Sequence, residues 1–254
     1  MSLSGEQIWF VVSMVAVAAA SGLVGVFALM RKMALASDAM SHVALPGLGL
    51  AILFKINPLI GGAAALFLGV AMIWFIEQKS KISTETVIGV IFSTSLAIGS
   101  LITPEEELIE SLFGNAGAVS FFSALVGTAA AVGIIVAILL LKNRMTLALI
   151  SEDLATVSGV RVPVMNLLFL AIFALNVILG LQFLGVLLMG SLIIVPAAVG
   201  RNLGGSLRGT LAISLVAAVL SVLLGYAISI FYGLALGPAI IAVAAAMFFL
   251  SLLR

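Results

Sequence analysis

The segment VSFFSALVGTAAAVGIIVAILLL, residues 119–141, contains no charged side chain and decides the class of fold. A helix needs about 20 mostly apolar residues to cross the hydrocarbon core of a bilayer, and this segment is long enough to do so. Backbone polar groups in lipid must be hydrogen-bonded internally, so an α-helix is the expected form. The sequence lacks the alternating pattern of a membrane β-barrel. The segment therefore predicts a membrane-spanning helix.

The composition of the whole chain indicates a membrane protein. Of its 254 residues, 64% are hydrophobic and only 8% are charged, against about 25% charged residues in soluble domains. The net charge of +1 and the absence of a basic patch give no reason to expect a nucleic-acid partner. The chain has no cysteine, which excludes disulfides and thiolate metal sites. The N-terminal MSLSGEQIWF lacks a basic leader and a cleavage site, so we expect no signal peptide.

Further apolar segments repeat the character of residues 119–141 along the chain. We expect an all-α polytopic membrane protein, a bundle of eight or nine transmembrane helices forming a single transmembrane domain over residues 1–254. Two segments leave the count at eight or nine, because 36–55 carries polar residues and 185–200 is short. The predicted spans are 7–30, 36–55, 58–76, 86–103, 119–141, 163–183, 185–200, 207–230 and 235–253.

The positions of Lys and Arg predict the orientation of the chain, because cytoplasmic loops carry an excess of these residues. With the N-terminus outside and the C-terminus inside, every Lys and Arg except Lys55 falls on the inner side. The acidic loop PEEELIE, residues 104–110, then falls outside. The inner side would carry Arg31, Lys32, Lys79, Lys81, Lys142, Arg144, Arg161, Arg201, Arg208 and Arg254.

The stretch SDAMSHVALPG, residues 37–47, holds the one histidine of the chain. Asp38 and His42 stand at positions i and i+4, so on a helix they share one face. A charged residue at the centre of a membrane helix costs about 2.5–3.5 kcal/mol on insertion scales, and such residues usually face a cavity or a partner. Carboxylate and imidazole together suit a first-row divalent cation. One pair gives few ligands, whereas a symmetric dimer would supply two aspartates and two histidines.

The same stretch has a purely structural interpretation. Ser37 or Asp38 could cap the helix that follows, and His42 could be a polar residue bonded inside the bundle. Pro46 would loosen the helix one turn after His42, because proline removes an internal hydrogen bond. Broken helices commonly line the path in transporters. Spacing alone leaves both interpretations open.

The segment LKNRMTLALISEDLATVSGVRVPVMN, residues 141–166, predicts a short helix between two spans. Ser151 suits the N-cap, Glu152 and Asp153 would lie in the first turn, and Gly159 can end the helix. Pro163 suits the first turn of the next span. The short helix is either a connector or a docking element for a cytoplasmic partner.

The run RKMALASDAMSHVALPGLGLAILFKINPL resembles the membrane permeases of bacterial ABC importers for zinc, manganese and iron. Other stretches resemble that family in the same order: TETVIGVIFSTSLAIGSLI, SLFGNAGAVS, SEDLATVSGV and LQFLGVLLMGSLIIVPAAVGRNL. The resemblance implies an ABC importer permease fold in the bacterial plasma (inner) membrane. It also implies a metal path at Asp38 and His42. The coupling helix that contacts the ATPase would include Ser151, Glu152, Asp153, Leu154, Ala155 and Gly159.

The resemblance also implies the cargo and the partners. The chain would move Mn²⁺ or Zn²⁺, or Fe²⁺, into the cytoplasm. It has no G-x-x-x-x-G-K-[ST] motif, so ATP would be bound by a separate chain and this chain would bind no cofactor and be no enzyme. The expected partners are a cytoplasmic ABC ATPase dimer, an extracytoplasmic metal-binding protein, a second copy of this chain and membrane lipid. SHVALPG resembles the manganese and iron branch, and residues 90–97 lack a histidine that some zinc permeases carry.

Two other classes of function compete with this one. An ATP-independent secondary transporter or channel could use Asp38 and His42 as a proton relay. An intramembrane enzyme has little support, because no H-E-x-x-H motif is present and a single histidine leaves few catalytic arrangements. Gly190 and Ser191 lie in an apolar run, where small residues most often pack helices.

Overall fold

A computed structural model describes residues 5–34, 36–80, 82–103 and 120–253 of the chain. The described residues are helices joined by short connections, without a β-strand. Seven helical segments are long and apolar enough to cross a membrane, and two shorter apolar helices, Leu188–Leu203 and Leu236–Ser251, accompany them. The predicted all-α polytopic membrane architecture is confirmed.

The helices overlap all nine predicted spans. The acidic loop 104–110 lies outside the described residues. In chain order the helices are α1 (Gly5–Met30), α2 (Ala36–Val43), α3 (Leu45–Leu53), α4 (Pro58–Lys79), α5 (Thr84–Ile102), α6 (Phe121–Ile150), α7 (Glu152–Val157), α8 (Val162–Leu184), α9 (Val186–Leu203), α10 (Leu207–Tyr232) and α11 (Leu236–Ser251).

The first helix lies at the centre of the bundle. It packs against α6, α8, α9 and α10, and it is the most buried of the candidate spans. Phe27 of α1 and Phe169, Phe173 and Phe183 of α8 are among the largest fully buried side chains. The buried Asn176 side-chain nitrogen donates to Ser21 Oγ at 3.0 Å, so this polar pair satisfies itself between α1 and α8. The helices α4, α5 and α6 are largely exposed at the periphery.

The structure corrects two of the predicted boundaries. The span 119–141 is part of a longer helix, because α6 continues to Ile150. The residues from Lys142 to Ile150 are therefore helical and not a connection. This segment contains neither Gly nor Pro, the two residues that most disfavour a helix. The span 36–55 is two helices that meet at Ala44, and Pro46 lies in the first turn of the second. The break precedes the proline, because proline suits a helix start and not its interior.

The close approach of α1 to α9 depends on Gly25. A Cβ atom at this position would collide with the carbonyl oxygen of Ile193 and would lie 3.0 Å from the Ala197 Cβ. We expect Gly25→Ala to lower the free energy of unfolding by about 1–3 kcal/mol, the usual cost of overpacking. The matched control is Gly133→Ala on α6, where a Cβ meets nothing within 4 Å. Thermal unfolding of the two purified variants in detergent checks this, and equal melting temperatures would contradict it.

Candidate functional site

Asp38 and His42 lie on one outward stripe of the α2–α3 segment. Asp38 is exposed and His42 is half-buried, while Ala39, Met40 and Val43 between and beside them are buried. The stripe continues through the half-buried Pro46 to the exposed Leu50. The pair therefore faces away from the core of this subunit.

His42 has an unsatisfied ring nitrogen. Its Nδ1 is buried and has no hydrogen-bond partner. The imidazole ring packs against Phe92 of α5, with 5.5 Å between the ring centroids. The backbone carbonyl of His42 loses its usual helical partner, because the residue four positions later is Pro46, which has no N–H. His42 thus combines a ring nitrogen that has no hydrogen bond with a carbonyl oxygen that lacks its usual helical N–H donor.

Asp38 is held against α9 at Gly190. A Cβ atom at Gly190 would lie 3.2 Å from Asp38 Cα and 3.3 Å from Asp38 Oδ1, so only glycine allows this approach without displacement. The neighbouring Ser37 Oγ donates to the Gly190 carbonyl at 3.4 Å and to the Ala34 carbonyl at 3.1 Å. Because a helix rises about 1.5 Å per residue, Gly190 lies about 16 Å along α9 from Arg201. Asp38 thus contacts α9 well away from its charged end and lies in the candidate membrane span Ala36–Leu53.

The capping interpretation of this stretch is wrong. The helix α2 already includes Ala36, so Ser37 and Asp38 lie inside it, and Ser37 Oγ donates hydrogen bonds to carbonyl groups and caps no N–H. The described residues contain no group of three or more His, Cys, Asp or Glu side chains that could hold a metal ion. Within the described ranges the Asp38–His42 pair therefore lacks a third His, Cys, Asp or Glu ligand, and further ligands of these types would have to come from elsewhere.

The predicted short helix is present as α7. Ser151 is its N-cap and accepts a hydrogen bond from the Leu154 N–H at 3.3 Å. Glu152 and Asp153 are exposed in the first turn, where carboxylates interact favourably with the helix dipole. Gly159 ends the turn with φ = 77°, a left-handed conformation that favours glycine. Ala155 is fully buried and anchors the helix to the bundle.

The outer face of α7 is unexpectedly apolar. Leu154 is 57% exposed and Val157 is 88% exposed, although both lie in a short polar segment at the end of the bundle. Apolar side chains three positions apart share one side of a helix, so they form a small protruding surface. The Asp38–His42 pair and α7 are not brought together in one cavity: Ser151 and Glu152 line a cavity beside α7, and neither Asp38 nor His42 does so.

Sequence reasoning missed three residues of these sites. Phe92, Gly190 and Val157 belong to contacts or surfaces that no local pattern specifies. Gly190 was predicted to pack helices, and its close contact with α2 confirms this; its partner Asp38 was not predicted, because the two residues are far apart in the chain. Only Val157 carried a local signal, since Leu154 and Val157 are apolar residues three positions apart in the otherwise polar run SEDLATVSG.

A protein-family model described as "ABC 3 transport family" matches residues 7–254 of the chain. The chain belongs to the ABC 3 transport family. Its family membership confirms the resemblance recognised in the motifs, and the fold is that of an ABC transporter permease.

Relatives and solved structures agree with this family. The chain is 29% identical over 236 residues to the high-affinity zinc uptake system membrane protein ZnuB of Haemophilus influenzae, covering 91% of this chain and 90% of that protein. It is 30% identical over 244 residues to the manganese import system permease protein ScaB of Streptococcus parasanguinis, covering 94% and 87%. The structure of PsaBC from Streptococcus pneumoniae in complex with Fab matches with a TM-score of 0.84 and 26% identity, covering 98% and 91%.

Proposed function

We propose that this ABC 3 family chain is the transmembrane subunit of an importer that moves Mn²⁺ or Zn²⁺ into the cytoplasm. The observation that carries the proposal is the outward Asp38–His42 pair, with the buried His42 Nδ1 free of any hydrogen bond. Nitrogen and carboxylate oxygen are ligands that these two ions accept. The printed names of the zinc and manganese relatives support the choice of ions.

A second copy of the chain would complete the ion site. Asp38 is exposed within the candidate membrane span Ala36–Leu53, and a carboxylate facing lipid at the centre of a membrane would cost about 2.5–3.5 kcal/mol on insertion scales. A two-fold axis beside the α2–α3 stripe would cover this charge and bring two Asp38 and two His42 side chains around one ion. Such a site has a useful property for transport, because ligands from two subunits separate when the subunits move.

The helix α7 would receive a cytoplasmic ABC ATPase, which carries the ATP site that this chain lacks. Its exposed Leu154 and Val157 would provide the apolar contacts. The helix itself is stabilised at its ends and by burial through Ser151, Glu152, Asp153, Ala155 and Gly159. An extracytoplasmic metal-binding protein would deliver the ion at the opposite end. The N-terminus would lie outside and the C-terminus inside a bacterial inner membrane. Residues 1–254 would act as one domain.

The two ATPase states would drive alternating access. A ligand shifts a conformational equilibrium only through its different affinity for the two states. An ATPase dimer that closes with ATP would bind the permease more tightly in one arrangement of α7. The ion site at Asp38 and His42 would thereby be exposed alternately to the two sides of the membrane.

Uptake of radiolabelled Mn²⁺ and Zn²⁺ tests this function. Metal-depleted cells would express the chain with its ATPase and binding protein, or with an ATPase that binds but cannot hydrolyse ATP. We expect uptake of one of the two ions with the active ATPase and background uptake with the inactive one. Equal uptake with both ATPases would instead indicate an ATP-independent transporter or channel, and no uptake of either ion would exclude these two ions as cargo.

A further inference from the structure

A cavity of about 290 Å³ lies between the end of α1 and the beginning of α7. We call it the Arg31 cavity. Its lining combines one half-buried cation, Arg31, with two carboxylates from separate helices, Glu77 at the end of α4 and Glu152 in the first turn of α7. Thr84, Ser151 and Asn166 add polar groups to the wall.

Arg31 is held in the cavity without satisfying its guanidinium group. Its Nε and Nη2 atoms are buried and form no hydrogen bond. The guanidinium carbon lies 4.4 Å from the centre of the Phe169 ring, so a cation–π contact fixes its position. Burial lowers the pKa of Arg31 to about 10, and the negative charge of Glu77 acts in the opposite direction. The side chain is still charged at neutral pH, and leaving two buried N–H groups of a charged side chain without hydrogen bonds is destabilising.

The two carboxylates of the cavity differ in their freedom to move. Glu77 accepts a hydrogen bond from Thr84 Oγ1 at 2.8 Å, which ties it to the beginning of α5. Glu152 is exposed at the start of a six-residue helix. Neither carboxylate bonds to Arg31 Nε or Nη2. Arg31 and Glu152 therefore line one cavity, and the Glu152 carboxylate makes no hydrogen bond to Arg31 Nε or Nη2.

Arg31 is also joined tightly to the helix that carries Asp38. The linker after α1 is a hydrogen-bonded turn, with the Met33 N–H donating to the Ala28 carbonyl at 2.9 Å and the Ala36 N–H donating to the Met33 carbonyl at 3.1 Å. Met33 is buried, 3% exposed. Through the described residue Met33, these two hydrogen bonds connect the end of α1 with the first residue of α2.

We propose that Arg31 is a positioning residue that couples α7 to the Asp38–His42 helix by pairing with Glu152 during the transport cycle. The proposal rests on the proposed function, because it requires an ATPase that moves α7. Arg–carboxylate pairs are strong and directional when both oxygens are engaged. The pair forms when α7 is pressed toward the bundle and opens when α7 returns, so that α2 follows the state of the ATPase.

A charge-reversal cycle tests the pairing. Arg31→Glu and Glu152→Arg should each reduce metal uptake per ATP hydrolysed at least about 10-fold, and the double variant should recover to within about threefold of the wild type. Lys32→Glu is the matched control: it lies next to Arg31, is exposed and does not line the Arg31 cavity. Lys32→Glu should change metal uptake per ATP hydrolysed less than about twofold. Failure of the double variant to recover would overturn the proposal, as would normal ratios in both single variants.

Cross-linking gives a readout that does not depend on uptake. The chain has no cysteine, so the double variant Arg31→Cys, Glu152→Cys introduces its only thiols. We expect a short bis-maleimide to cross-link them at least about three times more efficiently in one nucleotide state of the complete complex than in the other. Equal yields in both states would overturn the proposal. If the wild-type chain binds no ATPase at all, the proposed function itself fails, and that result is visible before any variant is compared.

Discussion

We expect metal uptake by the His42→Ala variant to be at least about 100-fold lower than that of the wild type, while the variant still assembles with its partners. The ring contributes a buried, unpartnered Nδ1 to the outward stripe of α2, and alanine removes this atom. Loss of an outer-sphere partner alone typically costs 10–100-fold in metal affinity, so loss of a direct ligand should cost more. Asp38→Ala should have an effect of the same size, because the carboxylate is exposed on the same stripe.

The control for this prediction separates ligation from packing. Phe92 contacts the His42 ring but offers no ligand atom, so Phe92→Leu keeps most of the apolar volume and should reduce uptake less than about 10-fold. All variants would be compared at equal amounts in the membrane. Wild-type uptake by both His42→Ala and Asp38→Ala would show that the stretch 37–47 serves packing and that the ion takes another route.

The double variant Leu154→Ala, Val157→Ala is expected to weaken binding of the ATPase at least about 30-fold. These side chains form the exposed apolar surface of α7. Truncating an anchor residue of an interface to alanine typically weakens the binding free energy by about 1–2 kcal/mol or more. Two such truncations, at about 1 kcal/mol each, raise Kd about 30-fold. Alanine also preserves the helix, because it has the highest helix propensity. Titration of the purified permease with its ATPase measures the change in Kd.

Leu253→Ala is the matched control for the α7 variant. Leu253 is 84% exposed, close to the 88% of Val157, but it lies beyond α11. We expect the Kd of the ATPase for the Leu253→Ala permease to stay within about twofold of the value for the wild type. An equal Kd for the double α7 variant and the wild type would mean that α7 is a connector and that the ATPase contacts another surface.

The helices were largely predictable because their signals are local. Apolar runs identified every span, Ser151 and Gly159 marked the ends of α7, and Pro163 marked the start of α8. The extension of α6 to Ile150 was not predicted, since Lys142 and Arg144 suggested a connection. Their long side chains can reach polar surroundings while the backbone remains helical. The break lies at Ala44 and not after Pro46, because the first turn of a helix accommodates a proline.

The site was predictable only in part. The i, i+4 spacing of Asp38 and His42 indicated one shared face, and the structure shows that this face points away from the core. The contact of Asp38 with Gly190 and the contact of Arg31 with Phe169 join residues more than 100 positions apart, so no local pattern contains them. Glycine at position 190 carries no chemical signal of its own. Its role appears only when the two helices are placed side by side.

The most direct test of the account is the X-ray absorption spectrum of Zn²⁺ bound to the purified permease–ATPase complex, without the extracytoplasmic binding protein. We predict one tightly held ion for two permease chains, with two imidazole nitrogens and carboxylate oxygens around it. His42→Ala should remove the imidazole signal and the bound ion together. An identical spectrum and metal content in the wild type and in His42→Ala would contradict the assignment of the ion path to Asp38 and His42.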